Sequence, residues 1–84
     1  MPIFVPVKRN KALLNLIGAN VKRAREGQGV SQELLAERAL CHRNYVARTE
    51  AGQIDISVSG LLALAKGLKV DPCSLLEGSL GSKR

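Results

Sequence analysis

The fold is decided by the stretch "SQELLAERALCHRNYVARTEAG", residues 31–52, which predicts two short helices joined by a tight break. Ser31 has the side chain of a good helix N-cap, and the helix that it begins is expected to end near Leu40. The next helix covers roughly residues 42–51. It ends before Gly52, because glycine can adopt the left-handed backbone conformation that closes a helix.

The second of these helices has one strongly polar side. At about 100° per residue, Val46 and Thr49 fall on one side with Tyr45 at its edge. The opposite side carries Arg43, Asn44, Ala47, Arg48 and Ala51. Arginine can pair with guanine, asparagine with adenine, and an alanine methyl can touch a thymine methyl. This side therefore suits base edges in a DNA major groove, although on a lone helix the same residues are more often a solvated face.

The spacing of the two helices favours the DNA-binding interpretation. Gln32, Ala36, the break near Leu40, Val46 and Gly52 stand at the positions of a helix-turn-helix. A small residue at Ala36 lets two helices cross closely, and Val46 can fill the angle between them. Short patterns of this kind also occur by chance, so the flanking segments must agree with it.

The flanking sequence adds three more helices and no alternating strand pattern, which predicts an all-α fold of five helices. Asn10 can cap a first helix that runs to about Gly27, and Asp71 can cap a fifth. Ser57 can cap a fourth, whose predicted inner side consists of Val58, Leu61, Leu62, Ala65 and Leu68. With 84 residues the chain can form one small domain, expected at residues 10–78. An N-terminal arm (1–9) and a frayed, flexible tail (79–84) would flank it.

The net charge of +6 favours a polyanionic partner, chiefly nucleic acid. The excess of positive charge lies mostly in the N-terminal third, which has one acidic residue, Glu26, and six basic ones: Lys8, Arg9, Lys11, Lys22, Arg23 and Arg25. By charge alone, a phosphate-binding surface and a solvated basic arm explain this distribution equally well.

Several other classes of protein are disfavoured. No apolar run is long enough to span a membrane, and the N-terminus does not read as a secretory signal, so we expect a cytoplasmic protein. Cys41 and Cys73 lack metal-ligand spacing and are expected to be small buried hydrophobes, so no metal site is predicted. With one histidine and no glycine-rich phosphate loop, the chain is not expected to be an enzyme or to hold a cofactor or small-molecule ligand.

The motif at 31–52 and the closing "LLALAKGLKVDPCSLLEG" resemble the phage-repressor and Cro-like family of helix-turn-helix transcriptional regulators. The resemblance covers about residues 17–78 and implies a compact five-helix lambda-repressor-like DNA-binding domain. Within the family, "HRNYVARTEAGQIDIS" looks most like the controller proteins of restriction-modification systems. That similarity is carried by Arg43, Tyr45, Val46, Glu50, Gly52, Ile56 and Ser57. Chromosomal and prophage regulators contain the same short segments. The sequence therefore leaves open whether the protein is a controller protein, a chromosomal regulator or a prophage regulator.

The resemblance also implies roles for individual residues. The base-facing positions are Arg43, Asn44, Ala47 and Arg48. The positions near phosphates are Ser31, Gln32, His42, Tyr45 and Ala51. Tyr45 could instead pack against the inner face, and His42 could cap the third helix. In related repressors a glutamate at the position of Glu50 pairs with an arginine on the first helix, which here would be Arg25.

Two residues depart from the family pattern. Leu40 stands where the turn most often has glycine, and a leucine with positive φ is strained. We therefore expect either a rearranged turn or enough burial of Leu40 to offset the strain. Thr49 stands where a larger aliphatic residue is usual, which thins the core beneath the third helix.

The resemblance thus implies a sequence-specific regulator that binds double-stranded DNA as a symmetric homodimer on a palindromic or pseudopalindromic operator, with recognition helices about 34 Å apart. The candidate dimer surface consists of Ile54, Ile56, Leu61, Leu64, Leu68, Val70 and Leu75. Each of these could instead belong to the core. The alternative function is a protein-interaction module of the same fold, such as an antitoxin or bridging factor, in which DNA binding is secondary.

Overall fold

The structure, a computed structural model, describes residues 9–78, which contain four α-helices, one short 3-10 helix and no strand. The helices are α1 (Lys11–Gly27), α2 (Gln32–Ala39), α3 (Arg43–Glu50) and α4 (Val58–Leu68), and the 3-10 helix is Pro72–Leu76. The prediction of an all-α fold is confirmed. The fifth α-helix is not, because the segment between Pro72 and the left-handed Gly78 is too short for one. Most of the predicted arm (residues 1–8) and the whole tail (79–84) lie outside the described residues.

Side-chain caps fix where four of these elements begin. In each, a side-chain oxygen accepts a hydrogen bond from a backbone N–H two or three positions later, which satisfies one of the free donors of the first turn. The capping residues are Asn10, Ser31, Ser57 and Asp71, as the sequence predicts. Short polar residues before apolar runs therefore fix where these elements begin, and so how long the connections between them are.

The core lies where α2 packs against α3 and α4, with α1 closing one side. Val46 is fully buried between the helices and Ala36 is nearly so, which agrees with their predicted roles in the crossing of α2 and α3. The other fully buried side chains, all with 2% or less of their surface exposed, are Val21, Leu35, Leu64, Leu68, Leu75 and Thr49. One small core therefore joins all five elements.

The predicted inner side of α4 is confirmed for Leu61, Ala65 and Leu68 and is wrong for Val58 and Leu62. Val58 is 74% exposed and Leu62 is 50% exposed, whereas Leu64 is fully buried. Because apolar residues occur all round this helix, the pattern alone does not fix which of them face the core. Packing against α2 does so, and it leaves Val58 and Leu62 on the outer face.

Burial in the core also corrects the predicted dimer surface. Four of its seven residues have almost no exposed surface, because they belong to the core of the single chain: Leu61, Leu64, Leu68 and Leu75. A side chain that is already buried cannot contact a second copy, so these four predictions are wrong. Ile54, Ile56 and Val70 are half-buried and remain candidates. The cysteine prediction is also wrong in part, because Cys41 is half-buried but Cys73 is exposed, and both are free thiols.

The turn between α2 and α3 keeps ordinary helix-closing geometry despite its leucine. Leu40 adopts φ 58° and ψ 44°, and its N–H donates to the Glu37 carbonyl while that of Cys41 donates to the Ala36 carbonyl. Leu40 is also 93% exposed. The turn is thus neither rearranged nor relieved by burial, and both expectations for Leu40 are wrong.

Two buried polar side chains complete the fold. The Asn20 amide on α1 donates to the carbonyls of Leu75 (2.9 Å) and Glu77 (3.2 Å), and so ties the 3-10 helix to α1. Thr49 is buried, and its hydroxyl has no hydrogen-bond partner among residues 9–78. Such an orphaned hydroxyl destabilises the folded state by about 1–3 kcal/mol.

Leu40→Gly is expected to raise the free energy of unfolding by about 0.5–1 kcal/mol. Removal of the left-handed strain gains about 1–2 kcal/mol, and the greater entropy of unfolded glycine offsets part of it. Urea denaturation followed by circular dichroism measures the change. Leu40→Ala is the matched control, because it shortens the side chain but keeps the strain. An equal gain in both variants would place the cause in the exposed side chain rather than in the backbone.

Candidate nucleic-acid interface

The outward side of α3 is the candidate interface. Arg43, Asn44 and Arg48 are exposed and Ala47 is half-buried, while Val46 and Thr49 on the opposite side are buried. The structure therefore brings the four predicted base-facing residues together on one uncovered side of the described chain. Arg43 lies near one carboxylate, with its Nε 3.7 Å from Glu33 Oε2, but both groups are exposed. A pair of this kind contributes little and separates easily.

His42 begins α3 as its N-cap. Its Nδ1 accepts a hydrogen bond from the Asn44 N–H at 3.2 Å, so in the neutral ring the proton lies on Nε2. Of the two roles left open by the sequence, capping is the one that the structure shows. The exposed Nε2–H remains able to donate to a phosphate at the edge of the interface.

The start of α2 changes the role expected for Gln32. The Gln32 side chain is half-buried, and its Nε2 donates to Glu50 Oε1 at 3.0 Å. It is thus used inside the protein rather than held out for a phosphate, which does not favour the predicted role. The side chain of the exposed Ser31 accepts from the N–H of Leu34. The backbone N–H groups of Gln32 and Glu33 have no acceptor within the described chain. The positive end of α2 therefore faces outward.

A bidentate ion pair joins α1 to α3. Arg25 Nε lies 2.6 Å from Glu50 Oε2, and Arg25 Nη2 lies 3.0 Å from Glu50 Oε1. Arg25 Nη1 also donates to the Val30 carbonyl at 2.9 Å. The side chains are only 12% and 4% exposed, and the hydrogen bond to Glu50 raises the pKa of Arg25 above its ordinary value. With the Gln32 contact, the Glu50 carboxylate connects all three helices that present the interface.

Gly18 lets α1 and α3 touch through their backbones. A Cβ on Gly18 would lie 2.5 Å from the Thr49 carbonyl oxygen and 2.6 Å from that of Glu50. No side chain fits there unless α3 moves. The sequence reasoning missed this residue, although a glycine inside a predicted helix, where it destabilises by about 1 kcal/mol relative to alanine, is a recognisable signal.

Two N-terminal cations also hold the C-terminal end of α3. Lys11 Nζ lies 2.6 Å from the Gly52 carbonyl, and Arg9 donates to the Gln53 carbonyl at 3.1 Å. Cations are favourable at a helix C-terminus, because the free carbonyls there carry partial negative charge. Part of the N-terminal charge therefore positions α3 instead of forming a separate basic surface. Nothing in the local sequence predicts these contacts, which span more than forty positions.

Tyr45 packs between α3 and α4. Its side chain is half-buried, and its hydroxyl occupies the space that a Cβ on Gly60 would need. Burial raises the pKa of Tyr45, and the neighbouring Cys41 raises it further, so the hydroxyl stays protonated. Packing is thus the role that the structure shows, and a phosphate contact stays a prediction. Ala51, the C-cap of α3, is exposed, and its predicted phosphate contact also stays a prediction.

Comparison with known proteins agrees with this geometry. Residues 16–77 match the model of a helix-turn-helix domain, which covers more than half of the chain. The chain belongs to the helix-turn-helix family of DNA-binding regulators. It is 34% identical over 61 residues to the control protein C.SmaI of Serratia marcescens, a match that covers 73% of each chain.

Solved structures show the same likeness for this helix-turn-helix protein. It is 36% identical to the restriction-modification controller protein C.AhdI of Aeromonas hydrophila, with a TM-score of 0.74 over 76% of this chain and 97% of that one. It is 25% identical to the clp gene regulator ClgR of Corynebacterium glutamicum, with a TM-score of 0.76 over 82% of this chain and 73% of the other. The resemblance to controller proteins is confirmed. These relatives are regulators, which agrees with the expectation of a non-enzyme.

Across residues 9–78, the helices are too short or too polar to cross a membrane.

Gly18→Ala is expected to weaken both the fold and DNA binding of the helix-turn-helix protein. The added methyl group pushes against two α3 carbonyl oxygens, and overpacking of this kind destabilises by about 1–3 kcal/mol. Gly27→Ala, at the end of the same helix, is the control because its Cβ meets nothing within 4 Å. Thermal denaturation and DNA titration should show the loss in the first variant only. Equal behaviour of the two variants would contradict the close contact between α1 and α3.

Glu50→Ala should lower the free energy of unfolding by about 2–3 kcal/mol, below the usual range for a broken buried pair because Arg25 keeps some solvent and its bond to Val30. The melting temperature should fall by about 4–8 °C per kcal/mol, together with DNA affinity. Arg25→Ala and the double variant complete the cycle. We expect the double variant to lose much less than the sum of the single losses. Additive losses, or an unchanged melting curve for Glu50→Ala, would show that the pair does not couple α1 to α3.

Proposed function

We propose that this protein is a sequence-specific transcriptional regulator that binds double-stranded DNA as a homodimer on a palindromic operator. The observation that carries the proposal is the uncovered side of α3, formed by Arg43, Asn44, Ala47 and Arg48. Its opposite side is fixed to α1 by Glu50 and by backbone contact at Gly18. A rigid helix with forked donors on its free side can read base edges without an added ordering penalty.

Each residue of this side has a chemical role in the proposal. Arg43 and Arg48 present guanidinium forks to guanine O6 and N7, and Asn44 pairs with adenine. Ala47 lets the helix approach closely and can touch a thymine methyl. Arg43 is the first choice for a base contact, because it lies in the first turn of α3, the end that enters the groove in this type of domain.

Phosphates are held at the helix ends rather than by Gln32. The free N–H groups at the start of α2 and the partial positive charge there favour an anion. The exposed hydroxyl of Ser31 and the Nε2–H of His42 can add donors nearby. These contacts would set the position of the protein on the duplex without reading sequence.

The outer face of α4 is the proposed dimer surface. Val58 and Leu62 lie one turn apart on this face and are the most exposed apolar residues of the helix. The half-buried Ile54 and Ile56 precede them directly in the chain. A self-complementary apolar patch of this kind suits a symmetric dimer, in which both recognition helices meet successive major-groove segments.

The restriction-modification role rests on two relatives. C.SmaI is a control protein and C.AhdI is a restriction-modification controller protein, and both share more than a third of their aligned residues with this chain. ClgR, a regulator of the clp gene, shares the fold at lower identity. We therefore propose a controller protein, with a chromosomal or prophage regulator as the alternative.

The function is tested by selecting the preferred site from random duplexes and then measuring affinity by fluorescence anisotropy. Arg43→Ala should weaken binding by about 1–3 kcal/mol per half-site and blur the preference at one base pair. Lys22→Ala, on the exposed part of α1, removes the same charge and should leave the sequence preference intact. Two protomers should bind each duplex.

Equal weak binding to selected and scrambled duplexes would overturn this proposal. That result would favour the protein-interaction module, in which DNA binding is secondary. Equal losses of DNA affinity for Arg43→Ala and Lys22→Ala on every sequence would show that α3 contributes only a general electrostatic contact.

A further inference from the structure

A second concave surface lies away from α3. It is a groove of about 530 Å³ where the C-terminal ends of α2 and α4 meet, and no residue of α3 lines it. Its lining includes Arg38, Leu40, Ala63, Lys66, Gly67 and Lys69. We call it the α2–α4 groove. The reading of base edges does not require any of these residues.

The charge of the α2–α4 groove is positive and unbalanced. Arg38, Lys66 and Lys69 line it without a carboxylate, and none of the three forms an ion pair within the part of the chain that the structure describes. The two helix C-termini that end here supply about half a negative charge each. Three full positive charges therefore exceed the requirement of the helix dipoles by about two.

Leu40, in the apolar part of the groove, has an unusual conformation and exposure. Leu40 is held in the left-handed conformation and is 93% exposed, so it combines backbone strain with an unburied side chain. Glycine would fit this backbone without strain. Both penalties fall at the rim of the same groove, where Leu40 stands beside the cations and the small Ala63 lines the wall. Residues held in sparsely populated backbone regions cluster at ligand clamps and other functional sites.

We propose that the α2–α4 groove binds a short acidic segment of a partner protein. An apolar side chain of that segment packs against Leu40 and Ala63, and its carboxylates pair with Arg38, Lys66 and Lys69. The segment must carry both properties, because a cationic groove with an apolar rim matches neither a purely apolar peptide nor a bare polyanion. The three cations without a carboxylate select an acidic segment, because carboxylates complement the charge of the lining residues.

Nucleic acid is the less suitable occupant for the same groove. Phosphate binding would use the three cations but would leave the side chain of Leu40 exposed. The candidate DNA interface is built from α3 and the start of α2, whereas the groove uses the opposite end of α2. A partner held there could stay bound while α3 occupies a duplex. The groove does not depend on the proposed function, because it shares no residue with the DNA interface.

The experiment is a titration of isotope-labelled protein followed by amide chemical shifts. The probe is a synthetic peptide of about a dozen residues in which glutamates alternate with leucines, a length chosen to extend along a groove of this size. The control peptide has glutamine in place of every glutamate. We expect the acidic peptide alone to shift the amides of residues 38–40 and 63–69. The same perturbation by the control peptide, or none by either peptide, would overturn the proposal.

Matched variants separate charge at the groove from total charge. The double variant Lys66→Glu/Lys69→Glu should weaken peptide binding at least about tenfold. Lys22→Glu/Arg23→Glu makes the same change in net charge on α1 and should leave the affinity unchanged. Leu40→Gly tests the apolar contact and should weaken binding several-fold. Circular dichroism confirms that each variant is folded.

Random-sequence duplex DNA is the final competitor. Displacement of the peptide by DNA, with shifts at the same groove amides, would make the groove a phosphate site and overturn the proposal. Loss of operator binding in Lys66→Glu/Lys69→Glu would have the same meaning. In contrast, loss of operator binding in Arg43→Ala with normal peptide binding would concern the DNA interface alone.

Discussion

The structure depends on one contact, the place where α3 lies against α1. The Glu50 carboxylate accepts hydrogen bonds from Arg25 and Gln32, and the absence of a side chain at Gly18 lets the backbones of α1 and α3 meet. The ion pair fixes the rotation of α3 relative to α1, and the glycine sets the distance between the two helix backbones. Because a close-packed interior transmits strain, a change in either would tilt the residues that face outward.

The two ends of α3 are restrained by different means. At its start, His42 caps the helix and Val46 fills the angle with α2. At its end, Lys11 and Arg9 bind the carbonyls of Gly52 and Gln53. Cations that composition alone assigns to a general basic surface thus contribute to placing the interface. A helix of only eight residues is marginal by itself, so these tertiary contacts account for its order.

The sequence was informative where chemistry is local and ambiguous where packing decides. Caps such as Ser31 and Ser57 were predictable because a short polar side chain before an apolar run has one favourable use. The rotation of α4 was not, since Leu62 and Leu64 are equally apolar and only α2 distinguishes them. The Gln32 contact, the Lys11 contact and the fit at Gly18 join distant positions, which no spacing rule reveals. The helical period predicted the polar side of α3, but its orientation in the protein required the structure.

The central claim is that the free side of α3 enters a major groove. Methylation interference on the selected operator tests it most directly, because methyl groups at guanine N7 lie in the major groove and those at adenine N3 lie in the minor groove. The account predicts interference at guanine N7 in two clusters about one helical turn apart, and none at adenine N3. Interference at adenine N3 alone, or at neither position while binding persists, would contradict it.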